Sequence, residues 1–90
     1  NDFMTRQEAA KLLCTLVTKL QGAYISTQPN SLSYYSDAYK VSAWAVPYVA
    51  YAHDQNIMQG SNGQFNPTGY TTREQALTVI ARLSNRYGWT

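Results

Sequence analysis

From Ala9 to Leu20 the apolar residues fall at positions 9, 12, 13, 16, 17 and 20, the spacing of one helix face. Thr5 with Glu8 makes a capping box ahead of this run, and Gly22 stands behind it, where a left-handed residue closes a helix. Together they predict a helix over Arg6 to Gln21. A second run, with Ala45, Tyr48, Val49 and Ala52 in period and Trp44 and Tyr51 widening the stripe, predicts a helix from about Ser42 to Gln55. Pro47 lies about one turn inside it, so its start should be kinked or irregular. Thr72 and Gln75 make another capping box, and Ala76, Val79, Ile80, Leu83 and Tyr87 set the face of a third helix. Between the last two, Ile57 to Pro67 carries Asn62-Gly63, a two-residue turn signal. The expected fold is all-α, a compact bundle of three main helices with room for a short hairpin in the 57–66 loop.

The first and third helices begin alike. With Thr5 set against Thr72, the positions up to Leu16 and Leu83 share Thr, Arg, Ala and Leu; Leu12 and Leu13 meet Val79 and Ile80, and Phe3 falls opposite Tyr70. Ala23 to Lys40 has no helical period and, with Gln28-Pro29-Asn30-Ser31, reads as an irregular connection between repeats. We therefore expect one domain over 1–90. It would hold the C-terminal helix of a preceding repeat (1–21), a linker (22–33) and one complete repeat (34–87).

Composition narrows the function. Apolar types make up 44 % and charged types 13 % of 90 residues, which points to a folded chain. So short a chain buries only about 60–65 % of its unfolded surface and is marginal alone. One cysteine rules out an internal disulfide, and no Cys/His cluster suggests a metal, so more chain is the expected support. A start at Asn1, almost inside a helix, fits a piece of a longer protein. The net charge of +2 comes without a basic block, and no apolar run reaches the roughly 18 residues of a membrane span. Neither nucleic acid nor a membrane is an expected partner. The helix–turn–helix alternative would need Arg73, Arg82 and Arg86 on the last helix to enter a groove, against this low charge and a Tyr-rich surface. Enzymatic chemistry finds no support either. Cys14 sits on the helix face of Ala10, Leu13 and Val17, and no third group would complete a thiol site with His53. No carboxylates pair at a useful spacing, and Asp54-x-Asn56-x-Met58 lacks the ligands of a calcium loop. No enzyme, metal or cofactor is expected.

Two arginines stand out. Arg6 and Arg73 each follow a capping threonine, at a helix end whose partial positive charge disfavours a cation by about 0.3–1 kcal/mol. A carboxylate or phosphate between guanidinium and free N–H groups would reverse that penalty. Alternatively each arginine folds back on Glu8 or Glu74, or stays in solvent.

In order and spacing, Tyr35-Ser36-Asp37, Trp44-Ala45, Asn56-Ile57-Met58-Gln59-Gly60, Phe65-Asn66-Pro67 and Thr72-Arg73-Glu74-Gln75-Ala76 resemble the S-layer homology repeats of bacterial cell-surface proteins. Asn56 replaces the first glycine of the family's Gly-Ile pair, a position where Asn also tolerates left-handed backbone. The resemblance implies helix–loop–helix units packing in threes. It implies a secreted, cell-wall location and non-covalent anchoring to secondary cell wall polysaccharide, often through a pyruvate ketal carboxylate. By the same resemblance the carbohydrate contacts would be Arg73 with Thr72, Arg6 in its own repeat, Trp44 and Gly60. Asp37 is a further candidate for a sugar hydroxyl, although an Asp ahead of a helix is more often a turn or cap residue. Trp44 could stack on a sugar face, although Trp on an apolar stripe is more often core. The alternative function is a structural repeat that packs against neighbouring repeats or domains and binds no glycan.

Overall fold

The computed structural model describes residues 3–23, 25 and 31–88. Strand β1 (Phe3–Thr5) leads into helix α1 (Arg6–Gln21); helix α2 (Val46–Asp54), strand β2 (Tyr70–Thr72) and helix α3 (Arg73–Tyr87) follow. Three 3₁₀ turns, at Ser31–Tyr34, Ala38–Lys40 and Ala43–Ala45, lead up to α2. Part of the expected linker, at 24 and 26–30, lies outside the described residues.

Both capping boxes form. Thr5 accepts from Glu8 N–H while Glu8 reaches back to Thr5, and Thr72 and Gln75 do the same at α3. The bonds from Thr5 hold the Glu8 carboxyl below its ordinary pKa. Gly22 and Gly88 close the two helices with φ of +67° and +70°, a region that disfavours any side chain.

The second helix starts later than its apolar period suggests. Ala43–Ala45 is a 3₁₀ turn, and α2 begins at Val46 with Pro47 in its first turn. Proline has no N–H to give the preceding turn and its ring clashes with the carbonyl four residues back, so an α-helix can begin at Pro47 but not run through it.

The core gathers Leu13, Cys14, Val17, Val49, Ile57, Phe65 and Leu83, all with 1 % exposure or less. Burying a side chain such as Leu, Ile or Phe contributes about 1.5–3 kcal/mol each. The buried stripe of α1 is Ala9, Ala10, Leu13, Cys14 and Val17, whereas Leu12 and Leu20, expected in it, are exposed. Cys14 settles this rotation: its thiol packs against α2 and donates to the Tyr48 carbonyl at 3.2 Å. Trp44 is likewise not core; it is 46 % exposed, with Lys11 Nζ 5.7 Å from its ring centre.

The Asn62-Gly63 turn forms, with φ of +54° and +73°, closed by a single bridge between Ser61 and Gln64. The sheet is elsewhere. β1 and β2 pair antiparallel, Phe3 with Thr72, Met4 with Thr71 and Thr5 with Tyr70, so the two Thr-Arg helix starts leave the ribbon at opposite ends.

Candidate functional site

Residues 55–66 leave α2 and return towards β2 as a loop whose backbone is gripped by side chains. Its first carbonyls lie at the negative pole of α2, which favours cations. Arg86 donates to the Gln55 and Asn56 carbonyls (2.7 and 3.0 Å) and Arg82 to that of Ile57 (2.6 Å). Asn56 takes the left-handed backbone that its position demands, at φ +58°. On the far side, the Asp37 carboxylate accepts from Phe65 N–H at 2.9 Å and Asn66 N–H at 2.7 Å. Gly60 is needed for space: a Cβ there would meet the Gln64 carbonyl oxygen at 2.3 Å and the Tyr35 ring at 2.7 Å.

Arg6 completes this grip. Its Nε donates to the Phe65 carbonyl (2.7 Å) and its Nη2 to the Gln59 carbonyl (2.8 Å), and its guanidinium carbon lies 4.8 Å from the Phe65 ring centre. Burial pulls its pKa down, while Tyr35 and Asp37 push it up. A guanidinium has five N–H donors, and these two bonds take the edge formed by Nε and Nη2. Either edge of a guanidinium can grip a carboxylate in a bidentate fork; the side edge is taken here, while no protein bond takes Nη1 among the described residues. Arg6 lines clefts on both sides, about 270 Å³ towards Tyr70, Gln75 and Arg82 and about 400 Å³ towards Ser61, Gln64 and Asn66. A half-buried cation fixed in this way attracts an anion more strongly than a mobile one in water.

Free helix N–H groups do not assist it. The Arg6 N–H donates to the Gly69 carbonyl at 2.8 Å and the Gln7 N–H to the Pro67 carbonyl at 3.0 Å, so the helix end expected to share an anion with Arg6 is filled by the chain's own loop. At α3 the situation is reversed. Arg73 is exposed and, among the described residues, neither a loop carbonyl nor an acidic side chain meets it. Thr72 beside it is engaged as the cap.

The six residues singled out from the sequence thus separate. Arg6, Gly60 and Asp37 converge on one loop, where Asp37 is buried with both oxygens occupied and Gly60 provides room for close packing. Arg73 and Thr72 stand at the neighbouring helix end. Trp44 belongs to another face of α1, in a shallow apolar cleft with Leu12, Lys11 and Thr15. Two of the three arginines on α3 that a nucleic-acid reading needs are turned onto loop carbonyls.

Sequence reasoning missed Gln59, which lines clefts on both sides of Arg6, and the cluster of Tyr34, Tyr35 and His53. His53 stacks on Tyr34 (centroids 4.5 Å apart, 27° between planes), and its Nδ1 lies 3.0 Å from the Tyr35 hydroxyl. Adjacent tyrosines before a buried Asp were the available signal, but their histidine partner comes from the far end of α2. Among the described residues no helix is long and apolar enough to cross a membrane.

Residues 34–77 match the family model of the S-layer homology domain. No curated protein and no solved structure gives a significant match.

Proposed function

From the premise that this chain carries an S-layer homology domain at residues 34–77, we propose that it anchors its parent protein to the bacterial wall by binding an acidic secondary cell wall polysaccharide. Domains of this family are cell-wall anchoring modules of bacterial surface proteins, and they bind secondary cell wall polymers. The finer reading is that the polymer's acid group, a pyruvate ketal carboxylate, sits on Arg6. One observation supports this above the others: Arg6 is held by the Gln59 and Phe65 carbonyls, lines two open clefts and keeps Nη1 without a protein bond among the described residues. Arg73, its counterpart, is a weaker candidate within this chain because its charge is exposed and screened.

The test is calorimetric titration of the 90-residue chain with purified wall polysaccharide, before and after mild removal of the ketal. Binding should need the ketal and fall at least about tenfold in Arg6→Gln, the worth of one charge-assisted pair. Arg6→Lys, which keeps the charge without the fork, should fall between the two. Equal affinity for polymer with and without ketal would refute the acid-group assignment.

A second reading has its own observation. The α3 end has the same Thr-Arg start as α1, but among the described residues no loop carbonyl meets it as the 67–69 segment meets α1, so α3 is suited to pack against a loop of a neighbouring repeat. In that case Arg73→Ala alters association with a neighbouring repeat and leaves glycan affinity unchanged.

A further inference from the structure

Across Gln59 from the Arg6 cleft lies another, of about 310 Å³, whose walls include Tyr34, His53, Asn56, Gln59 and Gly60. Tyr34 is 64 % exposed yet is held flat by the His53 ring beneath it. His53 is itself fixed, edge-on to the Tyr35 ring at 5.4 Å and with Nδ1 at the Tyr35 hydroxyl, and among the described residues no bond takes Nε2. Such a stack presents an apolar plate to water.

The rim is polar but uncharged. Gln59 Nε2 donates to Asn56 Oδ1, which leaves the Asn56 amide Nδ2 and the Gln59 side-chain Oε1 as a donor and an acceptor for hydroxyl groups. Among the described residues no Lys, Arg, Asp or Glu lines this cleft. An aromatic plate ringed by amides and a single imidazole nitrogen fits a ring with one apolar face and several hydroxyls, and offers nothing to an acid group. Gln59 is common to both clefts, so a polymer whose acid group rests on Arg6 would pass its next residue over Gln59 towards Tyr34.

We infer that the Tyr34–His53 stack is a second subsite, which takes a neutral sugar ring of the same polymer whose acid group Arg6 binds. The inference rests on the reading given under Proposed function, and its test separates the two.

The whole chain is titrated with two probes: a ketal-bearing monosaccharide glycoside, and oligosaccharides of two to four rings released from the polysaccharide. Tyr34→Ala, at an exposed position, should weaken the oligosaccharides about five- to tenfold, the worth of one stacked ring, and leave the monosaccharide unchanged. Tyr34→Phe should restore oligosaccharide affinity. The His53 ring proton resonances should shift with the oligosaccharides and stay still with the monosaccharide. If Tyr34→Ala weakens both probes equally, or neither, the second subsite is refuted while the Arg6 assignment stands. If wild type binds no oligosaccharide, both fall.

Discussion

Replacing Asp37 separates two roles that its place in the sequence left open, sugar ligand and structural cap. Its carboxylate is 5 % exposed and accepts the N–H groups of Phe65 and Asn66. Asp37→Ala removes two charge-assisted bonds and leaves a buried and a part-buried donor unmatched. At about 1–3 kcal/mol for each stranded donor, the loss should be about 3 kcal/mol. That is a large fraction of the roughly 5–15 kcal/mol that holds a domain together. In a chain of this size each kcal/mol moves the melting temperature by about 4–8 °C, so Asp37→Ala should melt at least about 12 °C lower. Asp37→Asn keeps one acceptor oxygen and should lose less. Thermal unfolding followed by circular dichroism at neutral pH provides the measurement. A variant melting within about 3 °C of wild type but failing to bind glycan would refute the structural role.

Other consequences follow from the same loop and core. Gly60→Ala would drive a methyl group into the Gln64 carbonyl and the Tyr35 ring, so the loop must shift; about 1–3 kcal/mol of stability should go, read by urea unfolding. Arg82→Ala and Arg86→Ala should each cost about 1–2 kcal/mol and raise amide exchange across residues 55–58. Burial pushes the Cys14 thiol from 9.0 up to about 12. Above pH 9 the unfolded chain sheds this proton while the native one keeps it, so the native state binds more protons and stability falls as pH rises through 9 towards 12, by up to about 1.4 kcal/mol per unit. Cys14→Ser should flatten that decline, and native Cys14 should resist alkylation until urea unfolds the chain.

Local signals carried much of the fold. Both capping boxes, Gly22 and the Asn62-Gly63 turn are decided by residues within four positions of one another, and all four form. The start of α2 was legible in kind, because Pro47 forbids a continuous helix, but not to the residue. What escaped is long-range. Cys14 shares its face with Ala10, Leu13 and Val17 as the sequence suggests, but the exposure of Leu12 and Leu20 is set by the way α1 packs on α2. The β1–β2 pair joins residues from opposite ends of the chain, with no pattern in Phe3-Met4-Thr5 to announce it.

The same limit governs the site. The two Thr-Arg starts are plain in the sequence, whereas the unequal surroundings of Arg6 and Arg73 depend on which helix end the 59–69 loop covers. Asp37 reads locally as a turn or cap residue or a sugar ligand, whereas its partners, the Phe65 and Asn66 N–H groups, lie far along the chain. Trp44 looked apolar enough for the core, but the 3₁₀ turn ahead of Pro47 rotates it outward.

The central claim is wall anchoring through the polysaccharide, and co-sedimentation with purified bacterial cell walls tests it most directly. The labelled 90-residue chain is mixed with intact walls and with walls chemically stripped of secondary polysaccharide down to peptidoglycan. The account predicts that the chain pellets with intact walls, stays in solution with stripped ones, and is released from intact walls by added free polysaccharide. A folded chain that pellets equally with both preparations, or with neither, contradicts it.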